Sequence, residues 1–516
     1  MIYASKMGHL RLPPELLLLV MKHVNHGEKY EAAQNSLRNA ILVNHEWAEA
    51  GTHILWQSVP VPMLARVSED RRQYYANKMT ELFIENEEES NYHEIFKDLK
   101  FPRLKTAYID RIKLKRGEKV HLTQYMQPRL KNFHFRGGAL CENALATLGS
   151  NCPHLEEVSL EEPIDGSGED RYLQLFTGCK ALELIDLGDG WAGSITPELF
   201  AGLAGHEQLV KIEIKPLISD STILGGLRMV SNPFSNIQSL HLTLKSVSVA
   251  RLASAAPSVR TLFLVIEDSE HDALASLALM RSLVHLELTY LDETELSPEG
   301  FHALEKMKNL EVLLLESRVE SLSAMWLDDA SFAQFISKLP KITNFEFKVD
   351  SDLTVSALTS LASSHPRIES FDFFGEYDLS DWTRLSTPLF PCLLRFVIEA
   401  PFIEGRTRRY AAVPNIFAHV QTVLIFCRSS NATTAERATQ IADLILRHCP
   451  VVEQLKFHDY YENRLAKLAL RAFESKVDGH FCSPILTSFR SLENSSFIKF
   501  HPSETRIYYD SDDDRY

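Results

Sequence analysis

Long apolar runs are missing from this chain. The longest near its start is the LLLLV of residues 16–20, hemmed in by Pro13, Pro14 and Glu15. No stretch approaches the ~18 consecutive apolar residues that a membrane-crossing helix needs, and the opening MIYASKMGHLRLPPELLLLV has no small-residue cleavage pattern, so neither an anchor nor a secretory leader is expected. Cysteine is scarce, with seven spread over 516 residues. An odd, scattered set is not a disulfide framework, and a reducing compartment, cytoplasm and/or nucleus, is the expectation. Basic residues are outnumbered, 54 Lys+Arg against 69 Asp+Glu, for a net charge of −15. Binding DNA or an anionic membrane through counterion release needs clustered Lys and Arg, so both classes are disfavoured; neutral or basic protein partners fit better. No HExxH, GxSxG, P-loop or paired CxxC occurs, and the 20 histidines are scattered. The expectation is a chain with no catalytic residues, metal ion or cofactor of its own.

What the chain does have is a repeat. The pattern apolar-x-x-apolar-x-apolar starts at Met79, Leu104, Leu130, Leu155, Leu182, Leu209, Ile237, Val259, Leu283, Leu310, Ile342, Ile368, Leu393, Val420 and Val452. From 79 to 452 is 373 residues over 14 steps, or 26–27 per step, and chance alternation does not hold a period that long. The last four residues of each pattern alternate and read as a short strand with one face buried. The segments between them carry helical spacing, as in Ala144, Leu145 and Leu148, or Phe332, Phe335, Ile336 and Leu339. One such strand and helix cannot bury their apolar faces alone, so neighbours must stack.

A second periodic position lies three residues before the pattern start. Cys152, Cys179 and Cys449 occupy it, as do Ala256, Leu339 and His365, and proline follows at 153, 257, 340, 366 and 450. Helices end before such prolines. The cysteines are therefore read as small buried packing residues rather than metal or redox groups.

From about residue 79 to at least 458 the chain resembles a leucine-rich repeat protein. The resemblance implies an α/β solenoid, a right-handed horseshoe of the longer, ribonuclease-inhibitor-like subtype with full helices on its convex side. The asparagine usual after the strand is largely missing, which points to irregular turns.

Residues 9–57 follow another grammar. Leu12-Pro13-Pro14-Glu15 opens a helix with proline in its first turn, followed by Leu16, Leu17, Val20 and Val24. The polar segment 25–35 separates it from Val43-Asn44, Trp47, Leu55 and Trp56. The order L-P-x-E-L, V-N-x-x-W, L-W resembles an F-box of the kind common in fungal sequences. About 45 residues of short helices bury little by themselves, so exposed apolar surface on such a module points to a partner. The resemblance implies a small all-α dock for a Skp-family adaptor, and through it the cullin and RING subunits of an SCF-type ubiquitin ligase. Carried over by position, Leu12, Pro13, Leu16, Val20, Val43 and Trp47 are the adaptor-binding residues. The alternative is a helical subdomain that merely caps the first repeat. Residues 58–78 read as a linker helix, 79–500 as the solenoid with its C-terminal cap, and 501–516 as an acidic tail in which Ser511 precedes three aspartates.

In each pattern the third, fifth and following seventh residues face the concave side. Acidic residues outnumber basic ones there, which favours a basic protein target. The candidate target-binding residues are Phe263, Val265, Glu287, Val312, Leu314, Glu316, Glu346, Asp372, Phe374, Leu424 and Phe426. Exposed apolar residues on a concave face suggest a binding hot spot. Two other readings stay open: coverage by the chain's own Phe497, Phe500, Tyr508 and Tyr509, or scattered surface residues. Arg406, Arg408 and Arg409 form the one compact basic cluster, in a loop. Gly188-Asp189-Gly190-Trp191-Ala192-Gly193 matches G-x-G-x-x-G, but Asp189 would repel phosphates and Trp191 is bulky where backbone must approach, so a repeat turn is expected there instead. The function expected is substrate recognition for a ubiquitin ligase, without catalysis; an adaptor-bound scaffold lacking a cullin is the alternative, and a cryptic enzyme the third.

Overall fold

The computed structural model describes residues 12–26, 30–84, 92–110, 119–120, 122–136, 139–140, 143–161, 169–318, 322–373, 389–399, 417–427, 454–459 and 485–488, with 443, 445 and 447–449. The chain divides into two compact units, one of residues 1–310 with 317–321, the other of residues 311–316 with 322–516.

The first unit opens with three helices, α1 (Pro14–His26), α2 (Tyr30–Ile41) and α3 (His45–Leu55). Leu17, Met21, Leu37, Ala40, Ala50 and Ile54 form their shared core, with Leu18, Val24, Trp47 and Leu55 packed against it. Asn44 caps α3, its side chain accepting from the Trp47 amide at 3.0 Å, which explains a break in helicity between two apolar segments. The expected linker helix is two short ones, α4 (Val61–Arg66) and α5 (Glu69–Ala76), because Ser68 starts a new helix after Val67 turns extended.

Nine parallel strands then follow, each pairing with the next: β1 (Glu81–Ile84), β2 (Thr106–Ile109), β3 (Asn132–Phe135), β4 (Glu157–Leu160), β5 (Leu184–Leu187), β6 (Lys211–Ile218), β7 (Ser239–Leu244), β8 (Thr261–Ile266) and β9 (His285–Tyr290). Each coincides with the end of one sequence pattern. Register places like positions side by side: Leu240, Leu262 and Leu286 are partners across three strands, and all are fully buried. A 26–27-residue repeat thus stacks its apolar positions into continuous rows, which is what a unit unable to fold alone requires.

The residue three before each pattern start has a structural task. In most of the described repeats its carbonyl accepts the amide of the pattern's first residue, as in Leu155 to Cys152 and Leu182 to Cys179, both 3.1 Å, closing a turn in which proline, lacking an N–H, costs nothing. Cys152, Ala256 and His365 occupy this position at a helix C-terminus with nearly the same backbone angles. Phe101 and Phe234 fill it elsewhere, so any side chain suited to a buried slot is accepted.

Full-length convex helices were expected throughout, yet none is found among the described residues of the first two connections. Among the described residues, the turn-long helix Tyr92–Ile95 stands between β1 and β2, and the two-residue strand Lys119–Val120 and the 3₁₀ turn Thr123–Tyr125 between β2 and β3. Aromatic bulk takes the helix's place: Phe96, Phe101 and Tyr125 are fully buried, with the Phe101 and Tyr125 rings 5.2 Å apart. Longer helices begin at Ala144–Asn151, and several start on side-chain caps: Thr196, Ser219 and Ser297 each accept from the amide three residues on.

The second unit carries seven parallel strands of the same kind: β10 (Val312–Ser317), β11 (Asn344–Phe347), β12 (Ser370–Phe373), β13 (Arg395–Glu399), β14 (Thr422–Cys427), β15 (Gln454–Asp459) and β16 (Ile485–Ser488). In three successive strands here, β11 to β13, the buried fourth position is aromatic. Phe345, Phe371 and Phe396 stack nearly parallel at 6.3 and 5.8 Å.

Candidate protein-binding surfaces

Helix α1 has two apolar sides. Leu17 and Met21 point into the module, while Leu12, just before the helix, and Leu16, Leu19 and Val20 on it are 44, 49, 60 and 38% exposed. The spacing 12, 16, 19, 20 is that of one helix face. Leu42 and Val43, in the turn after α2, are 83 and 59% exposed, and Pro13 is exposed as well. Six large aliphatic side chains in water on so small a module is an unusual concentration. Trp47 is different: it is half-buried and packs on the module's own core. Leu19 and Leu42 escaped the sequence reading, although Leu19, seven residues after Leu12, completes the stripe.

The module is fixed to the first repeat by polar and aromatic contacts. Glu49 of α3 accepts from both the Tyr74 hydroxyl and the Lys78 ammonium, and these bonds hold its carboxyl below the usual range. Trp56 stacks on Tyr75 at 4.1 Å.

On the strand faces, Phe263, Val265 and Glu287 of the first unit, and Val312, Leu314, Glu316 and Glu346 of the second, are all partly exposed. Asp372 is buried at 4% exposure. Lys348 Nζ lies 2.7 Å from Glu316 and 3.9 Å from Asp372, and Arg395 Nη1 lies 3.1 Å from Glu346. Burial raises the Asp372 carboxyl to about 6 despite Lys348. Phe374 lies outside the described residues, as do the side chains of Leu424 and Phe426, the arginines 406, 408 and 409, Ser511 and the C-terminal aromatics.

Basic side chains on this face stand beside several of the acidic ones, within one strand or across neighbouring strands. Lys211 meets Glu213 at 2.5 Å, Arg136 stands 3.9 Å from both Glu161 and Asp186, and His134 lies 3.6 Å from Glu157. Counting charges along the sequence does not show which of them meet, because most of these pairs join different repeats. Also unforeseen are two rows of rings on the inner face of the first unit. Phe83, Tyr108 and His134 follow one another at 6.2 and 5.6 Å, and His241, Phe263 and His285 at 5.5 and 4.7 Å.

The glycine-rich tract is a packed turn. Trp191 is buried and its indole N–H donates to the Leu160 carbonyl at 3.0 Å, while a Cβ on Gly188 would meet the Glu161 carboxylate at 2.5 Å. A carboxylate thus occupies the place a phosphate would have to approach. Among the described residues no group of three or more His, Cys, Asp or Glu is arranged to hold a metal ion, and no helix is long and apolar enough to cross a membrane. Cys152, Cys179 and Cys449 are buried, and burial pushes each thiol up to about 12.

No protein-family model matches the chain, and no curated protein matches it by sequence. Among solved structures it is similar to a plant peptide hormone receptor, RGFR1, in complex with RGF2, at 11% identity and a TM-score of 0.33 over 74% of this chain and 60% of that one. It therefore spans under two thirds of that receptor chain. It is also similar to the leucine-rich repeat domain of APL1B, at 11% identity and a TM-score of 0.26 over 93% of each chain. What the described residues show by themselves is a stack of parallel strands, each pairing with the strand of the next sequence repeat.

Proposed function

We propose that this protein is the target-recognition subunit of an SCF-type ubiquitin ligase. Its N-terminal helices act as an F-box that docks on a Skp-family adaptor, and its repeats hold the protein to be modified. The chain itself performs no catalysis; it raises the effective concentration of a target lysine near the conjugating machinery that cullin and RING subunits supply, in cytoplasm or nucleus.

The observation that carries this reading is the outward stripe of Leu12, Leu16, Leu19 and Val20 on a helix whose other side is already packed. A helix that only capped the repeats would turn its second apolar side inward as well. Burying four such side chains contributes on the order of 6 kcal/mol gross, enough to anchor a partner once association costs are met. The F-box-like order of Leu12, Pro13, Val43 and Trp47 in the sequence supports the identity of that partner.

The test is capture of a co-expressed Skp-family adaptor and cullin by the full chain, beside a Leu16→Asp, Leu19→Asp variant. Both substitutions fall on exposed positions, whereas altering Trp47 would also damage the module's core. The wild type is expected to retain adaptor and cullin, and the variant to lose both. Adaptor without cullin would select a scaffold role instead, and undiminished capture by the variant would remove the docking assignment.

A further inference from the structure

The two rows of rings in the first unit are each drawn from three successive repeats. Phe83, Tyr108 and His134 come from the fifth position of three successive repeats, and all are partly exposed. Carboxylates border the row: Tyr108 Oη is 3.5 Å from Asp110 Oδ2, and His134 Nε2 is 3.6 Å from Glu157 Oε1. In the second row Phe263 lies between His241 and His285, and His285 Nε2 is 3.8 Å from Glu287 Oε2. Phe263 and Glu287 are direct register partners on adjacent strands. An aromatic face flanked by a carboxylate is the environment in which a guanidinium both stacks and accepts charge pairing, more favourably than an ammonium, whose tight hydration resists stacking.

The rows are four strands apart, from β3 to β7. At the usual ~4.8 Å between strands this is roughly 19 Å, which about six extended residues span. Between them lies Asp186, 9% exposed, with Oδ2 accepting from Ser159 at 2.8 Å and a buried Oδ1 that has no hydrogen-bond partner among the described residues. The nearest cation, Arg136, reaches only to 3.9 Å.

We infer that the inner strand face of the first unit binds an extended protein segment carrying two arginines about six residues apart, one guanidinium stacked on each aromatic row. The inference rests on the proposal that the repeats hold a target protein, and it specifies the chemistry of that target.

The experiment uses the full chain and a fluorescein-labelled twelve-residue Gly/Ser/Ala peptide with arginines at its fourth and tenth positions, read by fluorescence anisotropy. Phe263→Leu and Tyr108→Leu keep apolar area and remove the ring, and each is expected to weaken binding at least about fivefold. Glu287→Gln is expected to act in the same direction. Arginine-to-lysine and single-arginine peptides should each bind at least about threefold more weakly than the parent. Glu270→Gln removes the same single charge as Glu287→Gln, at an exposed site away from the strands, and should change nothing. No binding of the arginine peptide overturns the inference, as does equal binding of the lysine or an acidic peptide. A matching loss in the charge control would mean unspecific attraction and would overturn it too. Adaptor capture measured on the same preparations keeps the two readings apart: a peptide that fails while the adaptor binds removes only the arginine-reading face.

Discussion

Glu49 and Lys78 form an ion pair between α3 and the residue just ahead of the first repeat, with the lysine side chain 8% exposed and the glutamate 53%. The pair sits beside Tyr74, over whose ring the Lys78 ammonium lies at 4.5 Å. One carboxylate therefore ties the helical module to α5 and to the residue just ahead of the first repeat.

Removing it strands a buried ammonium. Glu49→Ala is expected to lower stability by about 2 kcal/mol, more than an ordinary exposed ion pair contributes. Thermal unfolding of the variant beside Glu49→Gln measures this, and Gln, which still accepts hydrogen bonds, should recover part of the loss.

The slot cysteines predict a pattern of thiol reactivity. Cys152, Cys179 and Cys449 are buried with thiols raised to about 12, while Cys392 is exposed. Brief alkylation of the native protein at pH 8, mapped by mass spectrometry, should modify Cys392 and leave the other three unmodified until denaturant is added. Equal labelling of all four would contradict the packing role.

His93 predicts acid sensitivity. It is 4% exposed, its Nε2 has no hydrogen-bond partner among the described residues, and burial lowers its pKa to about 4. A folded pKa below the ordinary 6.5 means the neutral ring's contribution is complete above pH 6.5 and is lost as pH falls toward 4. Between pH 7.5 and pH 5 the wild type should lose about 2 kcal/mol more than His93→Gln, which does not titrate. Denaturant midpoints at the two pH values provide the comparison, and parallel losses in both proteins would count against it.

Gly178 predicts a steric limit on helix stacking. A Cβ there would lie 2.5 Å from the Gly149 carbonyl oxygen, which is backbone and cannot swing away. Gly178→Ala should therefore cost about 1–3 kcal/mol, despite alanine's better helix propensity, and a melting temperature equal to or above wild type would show that the helices can part freely.

The repeat and its strands were readable in the sequence because a buried position recurring every 26–27 residues leaves the same mark in each copy. The short connections near Phe96 and Tyr125 were not, since aromatic side chains can fill a layer that periodicity assigns to a helix. At the candidate sites the visible part was local. Leu12, Leu16 and Val20 are singled out by the F-box-like order of their segment, and Phe263 and Glu287 by their places in a strand. The pairing of Lys348 with Asp372, the ring rows and the anchoring of Glu49 join residues 22 or more positions apart, so they depend on how repeats stack. Trp47 shows the converse: a motif residue that the fold also uses for its own packing.

Calorimetric titration of a purified Skp-family adaptor into the full chain, with wild type beside Leu16→Asp, Leu19→Asp, bears most directly on what the exposed side of α1 is for. Saturable one-to-one binding to the wild type, abolished in a variant that melts at an unchanged temperature, is the predicted result. Absence of heat with the wild type, or the same isotherm with both proteins, would contradict it.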